Sequence, residues 1–122
     1  MHAPISRYLD AYNRLDVDAM LQFLHPEVVF ENYANGELNT RTDGIASFRE
    51  LAEHSLGLFL RRRQTLLEHA EVDGLIQAEI DFEGVFAVDL PNGIRAGQEI
   101  KLRGRSDFRL QDGLIIYVGD HC

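Results

Sequence analysis

Residues 99–111 carry the strictest pattern in the chain, an alternation between two kinds of side chain. One row is uncharged and mostly apolar and comprises Ile100, Leu102, Gly104, Ser106, Phe108 and Leu110. The other row is polar or charged and comprises Glu99, Lys101, Arg103, Arg105, Asp107, Arg109 and Gln111. Because successive side chains of a strand point to opposite faces, the pattern predicts a long strand with one face toward solvent or a wet interface. The other face must be covered by a second layer.

Three helices are predicted to supply that layer. Pro4 suits the first turn of one helix, Asp16 is expected to cap a short second helix, and Thr42 or Asp43 a third. His25-Pro26 is expected to end the second helix. The apolar faces at helical spacing comprise Ile5, Tyr8, Leu9 and Tyr12; Val17, Met20, Leu21 and Leu24; and Ile45, Phe48, Leu51, Ala52, Ser55 and Phe59.

Tight turns predict where the remaining strands begin and end. Turn signals occur at Asn35-Gly36, Asp73-Gly74, Pro91-Asn92-Gly93 and Asp112-Gly113. They separate strands through residues 28–30, 64–72, 76–82, 98–111 and 114–121. Helices followed by long strands indicate an α+β fold, in which three N-terminal helices cover a strongly curved antiparallel or mixed sheet. Such layers enclose a conical cavity, so we expect a cone-shaped α+β barrel and look for polar residues that point inward.

The size and charge of the chain narrow the classes of function. At 122 residues the chain is expected to form one domain, 1–122. A net charge of −8 argues against nucleic-acid binding, and no apolar run reaches the roughly 20 residues of a membrane span. The N-terminal residues lack a signal-peptide pattern and the lone cysteine, Cys122, has no internal partner, so a cytoplasmic location is expected.

The histidines and the basic triplet carry weaker signals. None of the five histidines has metal-ligand spacing, so neither a metal nor another cofactor is expected. Arg61-Arg62-Arg63 is interpreted as charge at a helix end, which serves the helix dipole and solubility.

Three polar residues are candidates for inward positions near the cavity. Tyr8 lies on the apolar face of the first helix, either as a core tyrosine or as a donor to an oxyanion. Asn32 shares the face of Phe30, either as a turn residue or as a group that orients a substrate or a water. Ser106 belongs to the inward row, where packing is the simpler interpretation. Glu31 faces the other way and is interpreted as a surface carboxylate.

The direction of Asp120 depends on the last turn. A two-residue hairpin at Asp112-Gly113 pairs Ser106 with Gly119 and points Asp120 outward. A three-residue loop pairs Ser106 with Val118 and points Asp120 inward. Ile115 and Ile116 favour opposite faces, so hydrophobicity does not decide between the two. An inward Asp120 near apolar walls would have a raised pKa and could act as general acid or base.

Three segments in this order resemble the nuclear transport factor two-like superfamily, and most closely its SnoaL-like and ketosteroid-isomerase-like members. They read "ISRYLDAYNRLDVDAMLQFLHPEVVFEN", "TDGIASFRELAEHSLGLF" and "LRGRSDFRLQDGLIIYVGD". The resemblance covers nearly the whole chain and implies a small apolar ligand in a cone-shaped cavity, no cofactor, and a homodimer.

The resemblance also implies roles for single residues. Tyr8 matches the tyrosine donor in the oxyanion hole of ketosteroid isomerases. Asn32 and Ser106 fall where those enzymes have a carboxylate base and a protonated aspartic acid, so steroid isomerisation by the usual route is not expected. Asp120 matches the last-strand acid of SnoaL-like cyclases. The implied substrate contacts are Phe30, Ala52, Phe59, Ser106, Phe108 and Val118.

Four hypotheses about function follow from these residues and from the resemblance. The first is an isomerase, cyclase or lyase that uses Asp120, Tyr8 and Asn32 on a small apolar carbonyl compound. The second is a binding module with the same cavity and no reaction. The third is water addition of the epoxide-hydrolase type, which would need Glu79-Ile80-Asp81 in place of an Arg-x-Asp sequence. The remaining hypothesis is a dimeric scaffold with a filled core, which predicts no cavity at all.

Overall fold

A computed structural model describes residues 1–122. It contains three helices, which are α1 (Ala3–Asn13), α2 (Val17–Leu21) and α3 (Ile45–Leu56). It also contains six strands, which are β1 (Leu24–Ala34), β2 (Glu37–Asp43), β3 (Phe59–Val72), β4 (Leu75–Phe86), β5 (Glu99–Gln111) and β6 (Leu114–His121). None of the helices has the length and apolar composition needed to cross a bilayer.

The six strands form one mixed sheet in the order β2-β1-β6-β5-β4-β3. β1 and β6 run parallel, whereas the other neighbours are antiparallel. The sheet is curled but not closed, because β2 and β3 each pair on one side only. This order brings the last strand to the middle of the sheet beside β1. Asn32 and Asp120, 88 positions apart in sequence, are therefore register partners on adjacent strands.

Three of the four predicted turns are two-residue hairpins in which both central residues have positive φ. The φ values are 53° and 80° at Asn35-Gly36, 51° and 79° at Asp73-Gly74, and 55° and 76° at Asp112-Gly113. This is the type I′ geometry, whose twist matches that of the flanking strands and which Asn-Gly and Asp-Gly tolerate best. The fourth turn is closed by a hydrogen bond from Gly93 N to Leu90 O at 3.2 Å. The predicted turn positions are thus confirmed.

The core lies between the helices and one face of the sheet. Its most deeply buried large side chains are Ile5, Met20, Val28, Phe108, Ile115 and Val118. Each contributes on the order of 1.5–3 kcal/mol by leaving water. The α+β architecture with three helices across a curved sheet is as expected from the sequence.

Several predicted helix boundaries are wrong. His25 and Pro26 lie inside β1, and α2 already ends at Leu21. Pro26 is tolerated there because the pairing of β1 with β6 is interrupted between Leu24 and Val29, so no ladder hydrogen bond is lost. Thr42 and Asp43 belong to β2, and the residue that precedes α3 is Gly44, which has no side-chain cap.

Two further expectations fail at the ends of strands. Phe59 is the first residue of β3 and does not extend the face of α3. Leu102 was expected in the covered row of β5 but is 44% exposed. The reason is that the beginning of β5 runs beyond the part of the sheet that the helices cover, since burial in this row becomes continuous only from Ser106.

Candidate active site

A cavity of about 240 Å³, open on one side, lies between the helices and the sheet. Its apolar lining comprises Met20, Phe30, Phe48, Leu51, Ala52 and Phe59, and its polar lining comprises Tyr8, Tyr12, Asn32, Thr40, Ser55, Arg62 and Asp120. A larger groove of about 380 Å³ on the outside is lined mainly by charged side chains from β3, β4 and β5. The inner cavity is the better candidate, because an acid, a hydroxyl and an amide converge there beside aromatic and aliphatic walls.

A second cavity of about 170 Å³ shares part of its lining with the first. The two share Tyr12, Asn32 and Asp120 in their linings, and Ser106 and Gln64 belong to the second. Asp120 therefore contributes to the lining of both cavities.

A β-bulge turns Asp120 toward the cavity. The last turn has two residues, so Gln111 pairs with Leu114 and Leu110 with Ile115. The register then shifts by one residue at Ile116, and from there Arg109 pairs with Tyr117 and Ser106 with Asp120. Both registers weighed from the sequence are wrong, because each assumed an unbroken ladder. The extra residue restores the inward direction despite the two-residue turn.

The environment of Asp120 favours its protonated form. Burial raises the pKa of Asp120 from the usual 3.8 to about 6, and the nearby charge of Asp107 adds to the increase. Ser106 Oγ donates a hydrogen bond to Asp120 Oδ1 at 2.7 Å, which favours the carboxylate and limits the rise. An acid with this pKa can both accept and release a proton near neutral pH.

Tyr8 supplies a protonated hydroxyl to the same cavity. Its ring is 4% exposed and makes an edge contact with Phe108, at a centroid distance of 6.4 Å. Burial, and then the charge of Asp120, raise the pKa of Tyr8 well above its usual value, so the hydroxyl keeps its proton. No group of the chain accepts a hydrogen bond from this hydroxyl, although the side chain lines the cavity. Tyr8 is thus a donor open to a ligand.

Asn32 is held in place from the neighbouring strand. Its Nδ2 donates to Asn39 Oδ1 at 2.9 Å, across an irregularity in the pairing of β1 with β2. Its side chain lines both cavities beside Asp120. An amide neither gives nor takes a proton near neutrality, so Asn32 can orient a ligand but cannot act as a base.

Arg62 is the functional candidate that the sequence interpretation missed. The triplet 61–63 lies in β3 and not at a helix end, with Arg61 and Arg63 exposed and Arg62 only 5% exposed. Arg62 Nε donates to Tyr12 O at 3.1 Å, and the guanidinium carbon lies 3.6 Å from the centroid of the Tyr12 ring. Extending the strand period back from Gln64 and Leu66 would have indicated this inward position.

The opposite face of the sheet holds two buried acids. Glu31, interpreted as a surface carboxylate, is 9% exposed, and it accepts hydrogen bonds from Tyr117 Oη at 2.7 Å and Arg41 Nη1 at 3.0 Å. Asp107, in the row expected to face solvent, is 6% exposed and accepts from Arg105 Nε at 2.9 Å. Their direction away from the cavity was predicted, but their burial was not.

The implied substrate contacts divide into two groups. Phe30, Ala52 and Phe59 line the first cavity, and Ser106 lines the second. Phe108 and Val118 are each 1% exposed and pack in the core without lining either cavity.

Comparison with known proteins identifies relatives of this fold. The sequence profile of the SnoaL-like domain matches residues 5–118. A candidate polyketide cyclase from Xanthomonas campestris pv. campestris is 26% identical, with 98% of this chain and 87% of that chain covered and a TM-score of 0.83. A candidate polyketide cyclase from Silicibacter sp. TM1040 is also 26% identical, with 96% and 84% covered and a TM-score of 0.73.

A more distant structure has the same fold. TerC, co-crystallised with polyporic acid, is 18% identical, with 96% of this chain and 86% of that chain covered and a TM-score of 0.75. A search of curated proteins found no match. The solved structures confirm the fold that the sequence resemblance implies.

Proposed function

This chain belongs to the SnoaL-like domain family, and from that premise we propose that it is an enzyme of acid–base chemistry on a small carbonyl compound. The reaction is of the isomerase, cyclase or lyase type and takes place in the inner cavity. The observation that carries the proposal is Asp120, a partly buried carboxyl in the cavity lining, whose pKa is raised to about 6 by its loss of contact with water. Perturbed acids in such cavities are typical of catalytic sites.

In the proposed reaction Asp120 moves the proton and Tyr8 stabilises the charge. The Asp120 carboxylate takes a proton from the carbon next to the substrate carbonyl, and the electron pair of that C–H bond moves to the carbonyl oxygen. The Tyr8 hydroxyl donates a hydrogen bond to the resulting enolate oxygen. Protonated Asp120 then returns the proton to another carbon or to a leaving group. A positioned base of this kind contributes about 10²–10⁴ in rate.

Asn32 and Ser106 have supporting roles in this proposal. Asn32, the register partner of Asp120, lines both cavities and orients the substrate. Ser106 holds Asp120 Oδ1 through the 2.7 Å hydrogen bond, so that Oδ2 is the oxygen left for proton transfer.

The epoxide-hydrolase type of reaction fits the site less well. Asp81 pairs with Arg103 Nε at 2.9 Å on the sheet face opposite to the buried Ile80, and Glu79 is exposed on that same face. Neither side chain lines the inner cavity. The rival that remains is a binding module, which the replacement of two family acids by Asn32 and Ser106 favours.

A ligand screen followed by a test of turnover distinguishes enzyme from binding module. Compounds that raise the melting temperature are ligands of the native state, and mass spectrometry of the incubated mixtures identifies those that are converted. We expect Asp120→Asn to lower turnover about 10²–10⁴-fold. Asp10→Asn, on the exposed side of α1, is the matched control and should keep full turnover. Conversion that survives Asp120→Asn would refute the proposal, and binding without conversion would support the binding module.

We also propose that the protein is a homodimer and works in the cytoplasm. The dimer is supported by the broad sheet face that the helices leave uncovered, and light scattering at low concentration would contradict it by giving the mass of one chain. The location is supported by the single free cysteine, which fits a reducing compartment.

A further inference from the structure

We propose that Arg62 binds a carboxylate group of the substrate, so that the natural ligand of the cavity is a carbonyl compound that also carries a carboxylate. This inference rests on the proposed function for the carbonyl part and names the substrate class more narrowly. It starts from the position of one cation inside a cavity that is otherwise mostly apolar.

Arg62 is a buried cation without an acidic partner. It is 5% exposed, and no carboxylate oxygen lies within 4.0 Å of its guanidinium. By contrast, Arg41, Arg49, Arg103 and Arg105 each have a carboxylate within 3.0 Å, although all four are about half-exposed or more. Burial of an unpaired charge is costly, and buried charges in proteins are normally paired. The expected partner of Arg62 is therefore a group that arrives with the ligand.

Arg62 lines the inner cavity and also belongs to the lining of the outer groove, and its guanidinium has unused donors. Nε is used by the hydrogen bond to Tyr12 O, and Nη2 has only Met20 Sδ at 3.9 Å, which is a weak acceptor. The Tyr12 side chain also interacts with the guanidinium, but no carboxylate or carbonyl of the chain accepts from Nη1. Nη1 is not fully buried, because the only fully buried side-chain N or O atom without a partner is Thr42 Oγ1. The two terminal nitrogens thus keep N–H groups available for the two oxygens of a carboxylate.

The guanidinium is also fixed in orientation. It lies over the Tyr12 ring at 3.6 Å and is tied to the backbone of α1 through Tyr12 O. A fixed planar fork loses little freedom when it binds a carboxylate, and it matches the geometry of that group better than it matches a single oxygen. Burial lowers the pKa of Arg62, but a guanidinium stays protonated at any physiological pH.

The rest of the cavity fits the remainder of such a ligand. The walls next to Arg62 are aromatic and aliphatic, and Asp120 and Tyr8 line the same space. Asp120 makes no ion pair with Arg62, so the cation is not already neutralised by the catalytic acid. A ligand anchored at Arg62 would extend its carbonyl part along the apolar walls toward Asp120.

The test compares benzoate with benzamide, which have nearly the same shape and differ in charge. Isothermal titration calorimetry at pH 8 should show benzoate binding at least about tenfold more tightly, as expected for hydrogen bonds from a charged donor. Arg62→Gln should remove this preference. Arg61→Gln and Arg63→Gln, the exposed neighbours on the same strand, are matched controls and should retain it.

A second measurement does not depend on a variant. In the unmodified protein, benzoate should shift the side-chain ¹⁵N NMR signals of Arg62 and leave those of Arg61 and Arg63 in place. Absence of benzoate binding at millimolar concentration, equal binding of benzamide, or a folded Arg62→Gln protein that keeps the preference would each overturn the inference. Asp120→Asn should keep the benzoate preference even though it stops proposed turnover, so failure of the anion site and failure of the enzyme proposal are separable.

Discussion

Both faces of the sheet carry charged groups with little exposure to water. Those on the outer face have charged partners, whereas those on the inner face have none. On the outer face, Glu31 is held by Tyr117 and Arg41, and Asp107 is held by Arg105. On the inner face, Asp120 has one serine hydroxyl, and Arg62 has a backbone carbonyl and an aromatic ring. The outer charges are paired within the chain and serve the fold. The inner charges are kept unpaired around a cavity, which is the arrangement that a ligand can use.

Replacing one tyrosine on each face should sharpen this contrast most. Tyr8→Phe removes the donor proposed for the enolate oxygen and should lower turnover about 10²–10³-fold. Its melting temperature should change little, because the Tyr8 hydroxyl has no partner within the chain. Tyr117→Phe should keep turnover but lose stability, because Glu31 Oε1 loses the 2.7 Å hydrogen bond. Steady-state kinetics and thermal unfolding of both variants check the pair, and a reversed pattern would break the comparison.

The pH dependence of stability should come from the inner face through Asp120. Its pKa rises from 3.8 when unfolded to about 6 when folded, so the native state holds the proton more tightly. The contribution of Asp120 to the free energy of unfolding is therefore greatest below about pH 4. It falls by about 3 kcal/mol in total as the pH rises to about 6. Asp120→Asn should abolish this decline.

Urea unfolding of the original protein and of Asp120→Asn between pH 4 and pH 8 measures how their free energies of unfolding differ. The stability of the original protein relative to Asp120→Asn should decrease over this range and level off above about pH 7. A relative stability that is flat, or that increases with pH, would mean that Asp120 is not desolvated in the folded protein.

Loss of an outer carboxylate should destabilise the fold without affecting the reaction. Glu31→Gln removes the charge that Arg41 and Tyr117 contact and should cost about 2 kcal/mol, since hydrogen bonds to charged groups contribute about 1.5–3 kcal/mol. Part of the loss is offset because Arg41 is half-exposed and can turn to water. Chemical denaturation gives the size of the effect. Equal stability would show that this buried acid is not a structural group.

The local features of the fold could be predicted because local chemistry determines them. The turns at Asn35-Gly36, Asp73-Gly74 and Asp112-Gly113 form because these residues tolerate positive φ. The alternation of polar and apolar residues in β5 indicates which side chains share a face. Asp16 caps α2 as expected, with its side chain accepting from Ala19 N. These signals need no knowledge of distant parts of the chain.

The site could be predicted only in part, because its decisive features depend on long-range contacts. Ile115 and Ile116 are equally apolar, so the sequence does not reveal that Ile116 is the extra residue of a bulge that turns Asp120 inward. Arg62 has the same side chain as Arg61 and Arg63. It is the buried one of the three because β3 begins at Phe59, which places residue 62 on the covered face of the strand. The burial of Glu31 depends on Arg41 and Tyr117, which reach it from two other strands.

The smallest expected effect concerns the hydrogen bond from Ser106, which is the only one that the Asp120 carboxylate accepts from a side chain. Ser106 Oγ donates to its carboxylate and lowers the pKa of Asp120 relative to burial alone. Ser106→Ala should therefore move the titration of Asp120 to higher pH, by somewhat less than one pH unit for a bond of about 1 kcal/mol. The ¹³C NMR signal of the Asp120 carboxyl reports the midpoint directly. Ser47→Ala, whose hydroxyl bonds the backbone at Asp43, is the matched control and should leave the midpoint in place. A midpoint that stays unchanged or falls in Ser106→Ala would show that the serine does not stabilise the ionised acid, and the pKa of Asp120 would then be raised by burial and the nearby charge of Asp107 without that counterweight.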